Sequence, residues 1–290
     1  MLKIINYLIL LILLMILIFL IYITCRYNYI HYYENNTIKK KLDYIFYKID
    51  KNNIYNKNKI PNIVFLTYHN KNKIPKNIYE NLNKYAHNYK IVIYNDKEAL
   101  LFLNKYFGSI FVDKFNKLRL GAHKADLLRY CFLYIYGGVY MDIKLRLLTN
   151  LDNIINEKKN KFYTVLSLEN TEIINFLNQS SMFQGFIAVP PNNFIIKKII
   201  YKFMYMDNLF INIKFINYLT YCEQMYKIIL DYNNKNRFNK GIYNTDNFSF
   251  ELFQEINKFN PNNIDKYGRT PVIINKNNQV IIDKHHGYPW

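Results

Sequence analysis

K-A-D-L-L-R-Y-C-F-L-Y-I-Y-G-G-V-Y-M-D-I-K, residues Lys124 to Lys144, is the stretch from which the fold is read. Leu127 to Tyr136 is apolar or aromatic almost all round apart from Arg129, a pattern that predicts a helix inside a domain rather than on its surface. Gly137 is placed to end that helix in a left-handed conformation, and Gly138 lets the chain turn at once into Val139-Tyr140-Met141. The consequence is a helix feeding a short, fully buried strand.

Three charges interrupt this apolar unit. Asp126 and Arg129 stand at i and i+3 on one helix face, and Asp142 stands where the strand runs out. Buried charges are costly unless paired or used. Taken singly, Asp126 and Arg129 form a pair and Asp142 caps a turn. Taken together, they sit where a strand's carboxyl end opens into a ligand crevice, which points to a site.

The string D-L-L-R-Y-x(6)-G-G-V-Y-M-D resembles the sugar-binding region of the DxD glycosyltransferases of family 32. That family includes the initiation-specific α-1,6-mannosyltransferases of yeast type and is similar to the glucosylating bacterial toxins. I-P-N-I-V-F-L-T-Y from Ile60, Q-G-F-I-A-V-P-P from Gln184 and the closing H-H-G-Y-P-W from His285 match it too. The resemblance covers roughly residues 60 to 200 and the last few; the span from about 205 to 275 matches no named pattern.

The resemblance implies an α/β, GT-A-like nucleotide-sugar-binding fold with a mostly parallel central sheet. It also implies retaining transfer of a hexose from a UDP- or GDP-sugar to a glycan, glycoprotein or glycolipid acceptor. Asp126 and Arg129 match the family's donor-sugar residues, and Asp142 matches the first Asp of DxD, near ribose and metal. Tyr68 stands where the family often has Trp and would stack on the nucleotide base. Tyr130, Gly137, Gly138 and Gln184 lie in the shared motifs and are expected to bind substrate. His285, His286 and Trp290 would fold over the diphosphate and its metal, manganese or magnesium; an exposed tail is the alternative.

One position departs from the family: the second acidic residue of DxD is Lys144. A protonated lysine cannot coordinate a cation, but its ammonium can contact a diphosphate as a fixed positive charge. Three outcomes stay open: metal held by Asp142 and a C-terminal histidine, metal replaced by Lys144, or an inactive relative. A non-catalytic, membrane-tethered carbohydrate- or lipid-binding protein on the same scaffold is the alternative function.

At the N-terminus, Ile4 to Cys25 is an uncharged run of mainly Leu and Ile, long enough to cross a hydrocarbon core of about 30 Å. It is too long for a signal peptide, and no small-x-small site precedes Arg26. The expected organisation is thus an anchor over 1–26, a stem over 27–59 and a catalytic domain over 60–290. Ile38, Leu42, Ile45, Phe46 and Ile49 fall at helical spacing in the stem, against the membrane surface or a second copy. Arg26 and Lys39 to Lys41 follow the span and would place the body in the cytosol, whereas the resemblance implies the lumen of the secretory pathway. Sequons at Asn35, Asn178 and Asn247 carry little weight in so asparagine-rich a chain.

A formal net charge of +18 invites a nucleic-acid partner. The lysines are scattered rather than striped and no nucleic-acid motif appears, so that partner is set aside. Abundant Lys, Asn, Ile and Tyr look instead like the codon bias of an AT-rich genome. Three cysteines, Cys25, Cys131 and Cys222, form neither a disulfide framework nor a zinc spacing.

In the body, Asn62 to Thr67 predicts the first buried strand, Lys76 to Tyr89 a helix and Lys90 to Tyr94 the second strand. Asn95 with Glu98 three positions on predicts a capping box. Later strands are expected at Phe162 to Leu168 and Phe186 to Val189, and helices at Phe194 to Tyr205 and Tyr218 to Tyr232.

Overall fold

A computed structural model of the chain describes residues 14–19, 36–52, 57–167, 181–205, 220–233, 238–245, 248–258 and 271–284. The chain divides into two compact units, Met1–Lys48 and Ile49–Trp290. In the first, residues 14–19 and 36–48 are helical. Leu42 and Phe46 are buried, so the apolar stripe read from the stem is the covered face of a helix. The expected anchor lies outside the described residues except for Leu14 to Phe19, whose residues are each half or more exposed. No helix among the described residues is long and apolar enough to cross a membrane.

Among the described residues, the second unit is built on one ten-stranded sheet. Its strands are β1 (Ile63–Thr67), β2 (Lys90–Tyr94), β3 (Gly138–Met141), β4 (Leu145–Leu147), β5 (Lys161–Leu166), β6 (Met182–Val189), β7 (Gly241–Asn244), β8 (Ser249–Asn257), β9 (Pro271–Ile274) and β10 (Val280–Lys284). The order across it is β2-β1-β3-β6-β5-β8-β9-β10-β4, with β7 paired to β8. The α-helices of this unit among the described residues are α1 (Lys76–Tyr85), α2 (Asp96–Phe107), α3 (Ser109–Lys117), α4 (Gly121–Tyr136), α5 (Leu151–Ile154), α6 (Phe194–Tyr205) and α7 (Thr220–Asn233); α3 and α5 have no counterpart in the sequence expectations.

The sheet is mixed, which corrects the expectation of a mostly parallel one. Pairings β1 with β2, β1 with β3 and β5 with β8 are parallel; the other six are antiparallel. Connection length accounts for the direction of the pairs adjacent in sequence. Parallel neighbours need a crossover of a dozen or more residues, which α1 supplies between β1 and β2. Only four residues separate β7 from β8, where Thr245 N–H donates to Phe248 O at 2.9 Å, and β9 and β10 are joined by a tight turn closed by Asn275 N–H to Gln279 O at 3.0 Å. Such short connections permit only antiparallel pairing.

Strand alternation sends side chains to two helical layers. Phe65 of β1 stacks on Phe132 of α4, ring centroids 3.9 Å apart and planes nearly parallel at 5°. Val64, Leu66, Val139 and Met141 join Ile78 and Leu82 of α1 in a separate buried cluster. Helix α4 has no side-chain bond at its N-cap, Leu120, yet eleven of its sixteen residues are buried. Burial at about 1.5–3 kcal/mol per large apolar side chain holds it without a cap. By contrast, the exposed start of α2 uses both bonds of its capping box: Glu98 N–H to Asn95 Oδ1 at 3.0 Å and Asn95 N–H to Glu98 Oε2 at 2.8 Å. At the far end of α4, Tyr134 and Asn192 both hydrogen-bond Asp50 through side chains, and Lys197 pairs with its other oxygen at 3.1 Å.

Candidate active site

The turn from α4 into β3 fixes where the site opens. Gly137 and Gly138 take φ of 65° and 96°, conformations that other residues rarely adopt. A Cβ on Gly137 would lie 2.6 Å from Pro191 N, and one on Gly138 2.6 Å from Ile63 O. The turn lets β3 lie directly against β1 in parallel, Val64 opposite Val139 and Phe65 opposite Tyr140. Both strands therefore end at the same edge of the sheet, bringing Tyr68 and Asp142 to their carboxyl ends. Asp142 is held there by its own N–H to Gly185 O at 2.7 Å, and its carbonyl accepts from Leu145 N–H at 2.9 Å.

Arg129 reaches this edge from α4 and gathers the charges. Its Nη2 lies 3.2 Å from Asp126 Oδ1 and 3.5 Å from Asp142 Oδ1. Its Nη1 donates to Gln184 O at 2.6 Å, and its guanidinium sits 4.2 Å from the centre of the Tyr140 ring. The Tyr140 hydroxyl donates to Asp142 Oδ1 at 2.8 Å, and Lys144 Nζ stands 3.7 Å from Asp142 Oδ2. Arg129 and Asp126 are nearly inaccessible, whereas Asp142 and Lys144 keep about a quarter of their side chains exposed.

The two carboxyls respond to this setting in opposite ways. Burial pushes the Asp126 carboxyl up to about 6, outweighing the neighbouring Arg129, and the charge of Asp142 adds to the rise. Burial also raises Asp142, but Arg129, Lys144 and the Tyr140 hydroxyl together outweigh it and hold that carboxyl below its ordinary value. Burial lowers the charged form of Arg129 as well, yet Tyr140, Asp126 and Asp142 more than compensate and keep it protonated. Near neutral pH one acid is ionised throughout and the other changes state within reach of it. Paired acids separated in this way are a mark of functional sites.

Of the residues expected at the site, Asp126, Arg129 and Asp142 form one ion-paired cluster, and Lys144 joins it. Gln184 contributes its backbone carbonyl to Arg129, while its buried side-chain amide has no hydrogen-bond partner among the described residues. Tyr130 is fully buried with its hydroxyl likewise unpartnered. Tyr68 continues β1, its N–H donating to Tyr94 O at 3.0 Å, with its ring 4.5 Å from that of His69. Gly137 and Gly138 lie at the amino end of β3, about 13–16 Å along the chain from Asp142, where they form the backbone turn. His285, His286 and Trp290 lie outside the described residues.

Two further groups enter the site that the sequence reading did not single out. Tyr140 packs under Arg129 and binds Asp142; its place two residues before Asp142, on the same face of the strand, is the signal that points to it. Helix α7, outside every recognised motif, brings Tyr221 and Cys222 into the field of Asp126, which adds to the rise that burial gives both groups. Tyr221 is fixed by stacking on Phe203 of α6 at 3.8 Å and by an edge contact with His123 at 5.8 Å. The Tyr221 hydroxyl and both ring nitrogens of His123 are buried without hydrogen-bond partners among the described residues. No sequence signal tied α7 to this place.

A divalent cation is not well served by the described residues. No group of three His, Cys, Asp or Glu side chains able to hold a metal occurs among them. Asp142, the acid at the open edge, already has Arg129 and the Tyr140 hydroxyl on one oxygen and Lys144 on the other.

Known proteins show similarity to the segment that forms this edge. Over 138 residues the chain is 28% identical to an uncharacterized glycosyltransferase of Acanthamoeba polyphaga mimivirus, covering 46% of this chain and 51% of the relative. Over 111 residues it is 27% identical to inositol phosphoceramide mannosyltransferase 1 of Schizosaccharomyces pombe, covering 38% of this chain and 31% of that protein. The matched segments thus span about half or less of those relatives. Among solved structures, PaToxG glycosyltransferase superposes with a TM-score of 0.42 at 15% identity, over 70% of this chain and 79% of that one. The model of one protein family matches residues 72–162, the segment that carries Asp126, Arg129, Tyr140 and Asp142. That family is described as a glycosyltransferase sugar-binding region containing the DXD motif, and it is what this segment is similar to.

Proposed function

We propose that the protein is a glycosyltransferase of GT-A-like architecture that moves a hexose from a UDP- or GDP-sugar to a glycan, glycoprotein or glycolipid acceptor with retention. The observation that carries this is Arg129 holding Asp126 and Asp142 together at the carboxyl edge of β1 and β3, inside the matched segment. Ligands of open α/β sheets bind at that edge.

Each group has a distinct task there. Asp126, with a carboxyl near pH 6, accepts or donates hydrogen bonds to sugar hydroxyls. Arg129 fixes both carboxylates and screens them from each other. Asp142, ionised and partly exposed, faces the nucleotide. Tyr68, at the end of the neighbouring strand, offers a ring for the base. The described residues do not fit a divalent cation, so no step is routed through one.

The run Ile4 to Cys25 is taken as a single membrane anchor, with the catalytic body on the lumenal side of a secretory membrane. Protease protection of intact microsomes tests the side: digestion of the C-terminal unit without detergent contradicts it. The activity is tested by incubating the full-length protein with a panel of UDP- and GDP-sugars. Binding of at least one donor with slow hydrolysis is expected; neither binding nor hydrolysis of any would sink the assignment. Sugar binding without donor turnover would instead favour a non-catalytic carbohydrate-binding role.

A further inference from the structure

The matched family is named for two aspartates flanking one residue, and this chain has Asp142-Ile143-Lys144 there. Lys144 lies on the turn between β3 and β4. Its ammonium is 3.7 Å from Asp142 Oδ2 and its side chain keeps a quarter of its surface, so it is held at the open edge within reach of a ligand. Lysine for aspartate changes the local charge from −1 to +1. That difference of two units equals the charge a divalent cation would bring. The acid beside it is already neutralised on both oxygens, by Arg129 and by Lys144 itself.

We propose that Lys144 takes the place of the divalent cation in this protein, its ammonium neutralising the diphosphate of the nucleotide-sugar, so that donor binding and transfer proceed without metal. The assignment rests on the nucleotide-sugar transfer proposed above. In the transfer step the bond from the anomeric carbon to the diphosphate oxygen breaks, and its electron pair leaves with the nucleoside diphosphate. The acceptor hydroxyl oxygen forms the new bond to that carbon and its proton passes to solvent. Lys144 stays protonated throughout and faces the extra negative charge on the leaving group. A fixed ammonium needs no assembly at the moment of reaction, which is the advantage of a preorganised charge.

The test is calorimetric titration of the full-length protein with UDP and with GDP, in manganese and in excess chelator. Wild type, Lys144→Met, Lys144→Arg and Lys144→Asp are compared, and thermal unfolding checks that each is folded. Wild type is expected to bind one of the two nucleotides equally in both buffers. Lys144→Met should bind it roughly ten- to a hundredfold more weakly, the usual loss for a hydrogen bond to a charged group, while Lys144→Arg retains most of the affinity. Lys144→Asp should bind weakly in chelator and recover when manganese is added, because an oxygen ligand has been restored. Wild-type affinity that collapses in chelator, or a folded Lys144→Met that binds as wild type, overturns the assignment. Wild type that binds neither nucleotide in either buffer overturns nucleotide-sugar transfer itself, and Lys144's role with it.

Discussion

Replacing Asp126 by asparagine should stabilise the free protein while disabling its donor site. The carboxyl rises from 3.8 to about 6 on folding, and each unit corresponds to 1.36 kcal/mol, so ionised Asp126 costs the folded state about 3 kcal/mol. Asparagine removes that cost but offers Arg129, which keeps Asp142 and the Gln184 carbonyl, a neutral partner in place of a charged one, a loss of about 1–2 kcal/mol that leaves a net gain of about 1–2 kcal/mol. For a unit of this size that is a rise in Tm of roughly 2–8 °C. The pH dependence follows from the direction of the shift. An acid whose folded pKa exceeds its unfolded value holds its proton more tightly when folded, so its contribution is present below about 4 and lost as pH rises through about 6. The advantage of Asp126→Asn should therefore be full at pH 8 and shrink at pH 5, where wild type is itself mostly protonated. Thermal unfolding of both proteins at the two pH values measures this. A lower Tm for Asp126→Asn at pH 8, or a difference that ignores pH, would refute the view that burial outweighs Arg129 at this carboxyl.

Arg129→Met leaves two carboxylates uncompensated in a buried setting and should cost about 3–5 kcal/mol, read as a Tm loss of roughly 6–20 °C. Adding Asp126→Asn should restore part of it; a double variant as unstable as the sum of its parts would contradict the shared pairing. Gly138→Ala forces a Cβ to 2.6 Å from Ile63 O at a φ of 96° and should cost more than about 3 kcal/mol. Gly121→Ala, at the start of α4 with open space around it, should be neutral or stabilising by up to about 1 kcal/mol; equal behaviour of the two in chemical denaturation would disprove the steric account.

How much of this was legible in the sequence depended on how local the signal was. The α4-to-β3 unit declares itself through an unbroken apolar run stopped by two glycines, and the capping box at Asn95 and Glu98 is written in four residues. Asp126, Arg129 and Asp142 were placed together because helix spacing and a strand end bring them there. Sheet direction was misread because the parallel pattern of the first strands does not announce the tight hairpins that follow. Gly137 and Gly138 sit in the same motif as the acids, one strand length before Asp142, a separation set by the extended backbone of β3. Tyr221 and His123 meet only through the packing of α6, α7 and α4, a long-range contact that no local pattern encodes.

Donor turnover by the full-length protein, with Asp142→Asn alongside, is the measurement that bears most directly on glycosyl transfer at this edge. Release of nucleoside diphosphate and the anomeric configuration of the sugar product are followed together by NMR across the UDP- and GDP-sugar panel. The proposed function predicts consumption of at least one donor, a product that keeps the donor's anomeric configuration, and loss of roughly a hundredfold or more in rate for Asp142→Asn. Turnover that survives Asp142→Asn unchanged, or no donor consumed by a folded wild type, would contradict it.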